Sequence, residues 1–245
     1  MRKYVNYFVI KRVFDIVVAS TIILLLSPLI VLIMILLKCT GEGHMFYLQE
    51  RVGLKNKRFK IWKFATMLVN SPNLGTGDVT VSNDPRLLPM GKVLRKTKLN
   101  ELPQLVNLLK GDMSIVGPRP LMPKGFERYS QYVQANIYNV KPGITGIGSI
   151  IFRDEESIVS KSTDYEATYQ RINNFKGDLE LWYQKNRSTA TDIKIVFLTA
   201  WVIFFSKSQL VYRFFPTLPI MDEKMFVIKR NHKPEIHSTL SRQAV

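Results

Sequence analysis

The sequence predicts a mixed α/β fold, mainly α, held to a membrane at its N-terminal end and continuing into one compact domain. Three observations carry that prediction. Residues 16–37 form 22 consecutive positions without a charge, residues 46–67 alternate in short apolar runs, and several later segments carry helical spacing. A chain of 245 residues has room for an anchor and one sizeable domain. The expected division is an anchor over 1–40, a domain over 41–222 and a polar, basic tail over 223–245.

The anchor comes first. At about 1.5 Å per residue, the run IVVASTIILLLSPLIVLIMILL matches a hydrocarbon core of about 30 Å. It is too long for a secretory signal, and no small-residue cleavage site follows it. Ser27-Pro28 stands at its midpoint, where proline removes a backbone hydrogen bond and bends a helix. Basic residues flank both ends: Arg2, Lys3, Lys11 and Arg12 before it, then Lys38, Arg51, Lys55, Lys57, Arg58 and Lys60. Positive charge marks the cytoplasmic side, so both ends carry the same mark. A helix that enters, breaks at Ser27-Pro28 and returns satisfies this pattern. A proline-kinked single span is the other reading, and the residues alone admit both. Asp15 is expected to pair with Lys11 or Arg12.

Phe46 to Met67 reads as a β-hairpin turning at Gly53-Leu54-Lys55-Asn56. Ser71 to Asp84 is a long polar loop. Asn100 is expected to cap a helix with Glu101, Leu102 and Pro103 in its first turn. Leu102, Leu105, Val106 and Leu109 would form its buried face, and Gly111 would end it. Ile144 to Gly148 is a glycine-bearing turn too incomplete to signal a nucleotide fold. Residues 158–186 read as a polar helix. Residues 192–205 are strongly apolar but short for a span, so they suit either the core or the membrane interface, with Asp192 as a helix cap. Phe214 and Phe215 are candidates for further interfacial contact.

Lys and Arg outnumber Asp and Glu by 35 to 19, and the resulting net charge of +16 favours anionic partners. A nucleic acid is not expected among them, because no recognition motif accompanies the charge. The single Cys39 excludes an internal disulfide, and three scattered histidines argue against a zinc centre.

The chemistry concentrates in residues 95–121, RKTKLNELPQLVNLLKGDMSIVGPRPL. A carboxylate in a first helical turn is kept ionised by the helix dipole, and Glu101 in that position can hold Mg²⁺ together with phosphate oxygens. Arg86, Lys92, Arg95, Lys96 and Lys98 lie just upstream. Arg119 stands between Pro118 and Pro120, which restrict its backbone and present its guanidinium as a fork for phosphate. Each residue alone also fits an ordinary role: Glu101 compensating a dipole, the basic run lying on lipid headgroups. Their concentration beside a membrane anchor favours a diphosphate site. Candidate phosphate or nucleotide contacts are Lys63, Arg86, Arg95, Lys96 and Arg119, although Lys63 beside a membrane also suits a snorkelling role. Asp112 is expected to form a turn. The Asp154-Glu155-Glu156 cluster could read sugar hydroxyls, with a solvated surface as its ordinary role.

At these residues the chain resembles the bacterial sugar transferases, the monotopic polyprenyl-phosphate phosphoglycosyl transferases. The likeness covers most of residues 10–205. It runs from Lys11–Asp15 through Ser27-Pro28, Gln49–Gly53, Lys63-Phe64 and Asp84-Pro85-Arg86 to the Glu101 segment and Gly117-Pro118-Arg119-Pro120. The resemblance implies a re-entrant helix-break-helix and a catalytic domain on the cytoplasmic face of the bacterial inner membrane. It also implies transfer of a sugar phosphate from a UDP-sugar to undecaprenyl phosphate, with release of UMP and help from Mg²⁺. In that family an Asp-Glu pair opens the helix, the Asp attacking the β-phosphate and the Glu helping to bind magnesium. Here Glu101 takes the second position and Asn100 the first, and a neutral amide cannot form the acyl phosphate. Ala65 and the stretch 148–156, GSIIFRDEE, are two further departures.

The resemblance leaves three mechanisms open: Glu101 as nucleophile, direct attack by the lipid phosphate, or loss of turnover. The expected function is that of the transferase, starting assembly of a surface polysaccharide or glycoconjugate. A homo-oligomer and downstream glycosyltransferases are further candidate partners. Asn100 sustains an alternative, a transferase-like protein without turnover that binds nucleotide sugars or serves as a scaffold.

Overall fold

Uncharged residues over more than five turns leave the N-terminal segment one way to satisfy its backbone without water, which is a helix. In the computed structural model α1 spans Arg2–Thr40, and Asn6–Thr40 is long and apolar enough to cross a membrane. The structure describes residues 2–74, 84–153, 158, 162, 164–205 and 208–220. Most of the polar loop (75–83), the acidic cluster 154–156 and the tail 223–245 lie outside the described residues.

Helix α1 runs through Ser27-Pro28, with Pro28 inside it. Proline withholds the one N–H that would reach the Leu24 carbonyl, and the Ser27 hydroxyl donates to that carbonyl at 2.8 Å instead. The helix is therefore weakened at this point by one backbone bond, with the orphaned acceptor satisfied locally.

Both arms of α1 pack on the same domain. The first arm puts Ala19, Ile22 and Ile23 against Ile61, Leu105, Leu108 and Met113. The second puts Ile33 and Leu37 against Phe64 and Leu94. Between the arms, Leu24 and Leu25 are 75% and 71% exposed. The polar residues of the first arm are tied down as well. Asp15 accepts from the Ser114 hydroxyl at 3.1 Å and the Ile115 amide at 2.9 Å, so the expected pairing with Lys11 or Arg12 does not form. Arg12 instead donates to the carbonyls of Leu108 and Leu109, and Lys11 reaches Asp192 at 2.6 Å.

The expected hairpin is present. Strands β1 (Phe46–Val52) and β2 (Arg58–Phe64) pair antiparallel, Phe46 opposite Phe64 and Val52 opposite Arg58. Alternation sends Ile61, with Phe59, to one face against Leu105, Leu108 and Met113, and Phe64 to the other against Leu37 and Leu94. Helix α2 spans Gly91–Lys96, followed by a 3-10 turn over Leu99–Glu101 and then α3 (Gln104–Lys110), which ends at a left-handed Gly111 as expected. Two corrections arise here. Asn100 lies inside the 3-10 turn and caps nothing. The buried face of α3 is Gln104, Leu105, Asn107 and Leu108, whereas Leu109 is exposed. Asn107 explains the rotated phase: its side chain accepts from the Trp62 amide and donates to the Lys60 carbonyl, both at 2.9 Å. A buried amide thus completes the β2 edge where a hydrophobic pattern would not look for one.

Two short strands, β3 (Ser114–Val116) and β4 (Gly143–Thr145), pair in parallel. Between them lie α4 (Pro123–Phe126) and α5 (Gln131–Asn136). Beyond them come α6 (Ile147–Ile151), α7 (Tyr165–Asn186), α8 (Thr189–Phe204) and α9 (Leu210–Phe214). Their main core joins Val116, Ile147, Ile172, Leu179, Ile195 and Leu198. Helix α8 gives one face to the core. Ile195, Leu198 and Val202 are buried, while Ile193, Phe197, Ile203 and Phe204 are exposed. Phe215 is buried with the core and Phe214 packs against it. Ser188, not Asp192, caps α8. Asp192 is buried and accepts from Tyr183 at 2.7 Å, Tyr7 at 3.0 Å and Lys11.

Candidate active site

The 3-10 turn after α2 begins at Lys98, whose φ of 62° is left-handed. A side-chain-bearing residue held there stores strain that its surroundings must offset. The turn places Asn100 and Glu101 on the wall of a cavity of about 560 Å³, together with Arg51, Lys63, Arg95, Lys98 and Arg119.

The proline-flanked arginine is fixed by its neighbours. The Arg119 carbonyl accepts from the Tyr138 hydroxyl at 2.8 Å, and that hydroxyl accepts from the Leu121 amide at 2.9 Å. Arg51 donates to the Pro120 carbonyl at 3.1 Å. Gly117 must be glycine, because an added Cβ would meet the Lys141 carbonyl oxygen at 2.4 Å. With its backbone so held, Arg119 stays half exposed, and its guanidinium lies 3.8 Å from the Glu101 carboxylate.

Electrostatics follow from crowding. Burial alone would raise the Glu101 pKa, but Arg119, Lys63 and Lys98, with a hydrogen bond from Gln104, hold it below the usual carboxylate range. Lys63 is pushed down to about 8 by burial first, then by Arg51. Arg51 falls to about 10 through burial and the nearby Arg119. The cavity therefore holds several cations against Glu101, the only carboxylate on its described wall. Asn100 is buried, and its Oδ1 has no hydrogen-bond partner among the described residues. An orphaned buried acceptor is unusual and marks a place where a ligand, ion or water completes the structure.

Among the expected contacts, Lys63, Arg95, Arg119, Asn100 and Glu101 converge on this cavity. Arg86 and Lys96 do not line it. Arg86 is buried against Asp84, with bonds of 2.8 and 2.6 Å, and donates to the carbonyls of Ser71 and Leu74; it fastens the loop. Lys96 points outward from α2 as an exposed residue. Sequence reasoning had not singled out Arg51 or Lys98. Arg51 lay inside the quoted Gln49–Gly53 motif and Lys98 inside the basic run, but no spacing rule separates them from their neighbours. Asp112 accepts from Asn107 at 3.1 Å, in keeping with its expected turn role. Among the described residues no three His, Cys, Asp or Glu side chains gather as a metal cluster.

Comparison with known proteins bears on the same residues. The family model described as "Bacterial sugar transferase" matches residues 6–206, which takes in most of α1, the cavity and α8. The chain belongs to the bacterial sugar transferase family. Family members of established name include the UDP-glucose:undecaprenyl-phosphate glucose-1-phosphate transferase of Escherichia coli, 38% identical over 202 residues. That alignment covers 81% of this chain and 41% of the relative. The undecaprenyl-phosphate galactose phosphotransferase of Salmonella typhimurium is 36% identical, covering 79% of this chain and 40% of that protein. The exopolysaccharide production protein ExoY of Rhizobium meliloti is 34% identical, covering 81% and 87%. The chain thus spans about two fifths of the length of the first two relatives and most of the third.

Proposed function

We propose that this chain transfers a sugar 1-phosphate from a UDP-sugar to undecaprenyl phosphate, releasing UMP, as an initiating membrane step of surface polysaccharide or glycoconjugate assembly. The observation that carries the reading is the cavity in which Arg51, Lys63, Lys98 and Arg119 surround the ionised Glu101. Such an excess of fixed cations suits a diphosphate, and phosphoryl transfer relies mainly on positioning and charge stabilisation. Two of the named relatives are undecaprenyl-phosphate transferases of glucose and galactose phosphates, and the third is named for exopolysaccharide production.

Arg119 supplies the rigid fork for the phosphate oxygens, with Lys63 and Lys98 beside it. Mg²⁺ fits the residues present: Glu101 and the unpartnered Asn100 Oδ1 are hard oxygen donors, and this ion is ordinarily held by one or two carboxylates plus phosphate and water. When bound it would supply further neutralisation of the diphosphate charge. Position 100 cannot form an acyl phosphate, so the nucleophile is either Glu101 or the lipid phosphate. In the first case a Glu101 oxygen bonds to the β-phosphorus as the bond to the bridging oxygen breaks and UMP leaves, and the lipid phosphate then displaces Glu101. In the second the lipid phosphate makes that bond directly.

The test is UMP release by the purified protein with Mg²⁺, undecaprenyl phosphate and a panel of UDP-sugars. Release with at least one donor is expected. A folded protein that releases none with any donor refutes turnover and leaves the scaffold reading. Omitting the lipid separates the routes: an intact-mass increase of one sugar phosphate assigns Glu101, whereas its absence beside full turnover assigns direct attack.

Lys63 gives this site a pH signature. Its ammonium is charged below about 8, and an anionic ligand binds the charged form. UDP affinity should therefore fall as pH rises from 7 to 9, and the fall should flatten in Lys63→Met. Calorimetric titration across that range checks it; equal slopes in both proteins would remove Lys63 from the phosphate contacts.

The membrane arrangement belongs to the same reading. A re-entrant α1, bent where Ser27-Pro28 weakens it, with the domain and the exposed apolar side of α8 on the cytoplasmic face, is supported by the packing of both arms on one domain. A spanning helix would carry one arm to the opposite side. Cysteines introduced at Asn6 and His44, in a protein with Cys39→Ser, should label from the same side of sealed membranes. Labelling from opposite sides would refute re-entry.

A further inference from the structure

A second chamber of about 440 Å³ lies on the other side of Lys98 and Arg119, which line both spaces. Its wall includes Tyr129, Ser149, Phe152 and Glu180, and its volume falls in the few-hundred-Å³ range of small-molecule sites. Two of its polar atoms are buried with no hydrogen-bond partner among the described residues: the Ser149 hydroxyl and Glu180 Oε2. Glu180 is 4% exposed. Its other oxygen faces the Gly148 amide, close enough that a Cβ on Gly148 would meet Oε1 at 2.6 Å. The large majority of buried polar groups in folded proteins are paired, and two unpaired ones on one chamber wall suit a polar ligand. None of these residues has a part in the chemistry at Glu101.

We propose that this chamber is the uridine site, in which Glu180 and Ser149 pair with the uracil ring while Lys98 and Arg119 hold the diphosphate between the two chambers. The inference rests on the proposed reaction and adds to it the residues that read the base. In-line displacement brings the nucleophile to one side of the transferred phosphoryl group and releases the leaving group on the other. Glu101 and Asn100 line the first chamber, so the departing UMP lies across Lys98 and Arg119, in the second. Uracil presents an imide N–H and two carbonyls, which need acceptors and donors, and two flat faces, which suit the Phe152 and Tyr129 rings. Burial raises the Glu180 carboxyl to about 8, against the Gly148 amide and Lys176, so near neutral pH it can donate as well as accept. Ser149 and Phe152 belong to the 148–156 stretch in which this chain departs from the family pattern, whereas Glu180 stands on α7 outside it.

The test measures binding of UDP, UDP-glucose and inorganic pyrophosphate to the full chain, without turnover. Glu180→Met keeps the side-chain length and removes the polar pair. Ser149→Ala removes only an unpartnered hydroxyl, so folding is preserved. UDP affinity is expected to fall at least about tenfold in Glu180→Met and about threefold in Ser149→Ala, because a site built for polar groups discriminates through them. Pyrophosphate affinity should stay within about twofold of wild type, since Lys98 and Arg119 are untouched. Unchanged UDP affinity in Ser149→Ala and in a folded Glu180→Met overturns the proposal. So does a loss confined to UDP-glucose, which would give the chamber to the sugar. A wild type that binds pyrophosphate and UDP equally well refutes the base site alone, and one that binds neither refutes the diphosphate reading beneath it.

Discussion

Glu101→Gln should lower UMP release at least about a hundredfold, or roughly 2.7 kcal/mol of barrier, while leaving the fold intact. The substitution keeps size and shape and removes one charge. That charge is what Arg119, Lys63 and Lys98 hold ionised, and both proposed routes need it. If Glu101 is the nucleophile, an amide cannot form the acyl phosphate. If the lipid phosphate attacks directly, the change removes the only carboxylate on the described wall and weakens any cation held there. Steady-state rates with a competent donor would check this, with circular dichroism as the control for folding. A rate within a few-fold of wild type would mean that chemistry occurs elsewhere.

The second large effect concerns the anchor. Asp192→Ala should destabilise the protein by about 3–5 kcal/mol, because it strands a partner charge in a buried setting. Lys11 and Asp192 lie 2.6 Å apart with side chains only 12% and 10% exposed, and the Tyr7 and Tyr183 hydroxyls also donate to this carboxylate. Its removal leaves an ammonium and two hydroxyls without their shared acceptor. For a chain of this length such a loss lowers the thermal midpoint by about 6–12 °C or more. Measurement in nanodiscs would show it, and pairing Asp192→Leu with Lys11→Met should recover much of the loss by removing both charges together. A shift below about 2 °C would show that the first arm of α1 is held by apolar packing alone.

These two sites differ in how legible they were. Glu101 and Arg119 could be named from the chain because their neighbours advertise them: a helix start beside a carboxylate, an arginine between prolines, a basic approach. The same held for the hairpin at 46–64 and the glycine ending α3, where alternation and a left-handed position leave strong local marks. The network around Asp192 had no such mark. Its partners are more than 170 residues away for Tyr7 and Lys11, so the sequence offered only a carboxylate before an apolar run, which reads as a cap. Arg86 erred in the opposite direction. Its place among basic residues suggested a ligand, whereas burial against Asp84 makes it a fastening for the loop.

What the sequence by itself determined is what local chemistry encodes. That comprises an apolar N-terminal helix with a weak point at Ser27-Pro28, a hairpin, a basic segment carrying Glu101, a rigid Arg119, and an amide at position 100. Only the tertiary structure decided which charges face one another. It brought Arg51 and Lys63 from the hairpin to Glu101, set Lys98 at the edge of both chambers on a left-handed backbone and sent Arg86 and Lys96 elsewhere. It also placed Glu180 and Ser149 behind Arg119, around a chamber no motif announced. The reason is range: helix periodicity, caps and turns depend on residues a few positions apart, whereas a cavity's field is set by side chains that meet only when distant segments pack.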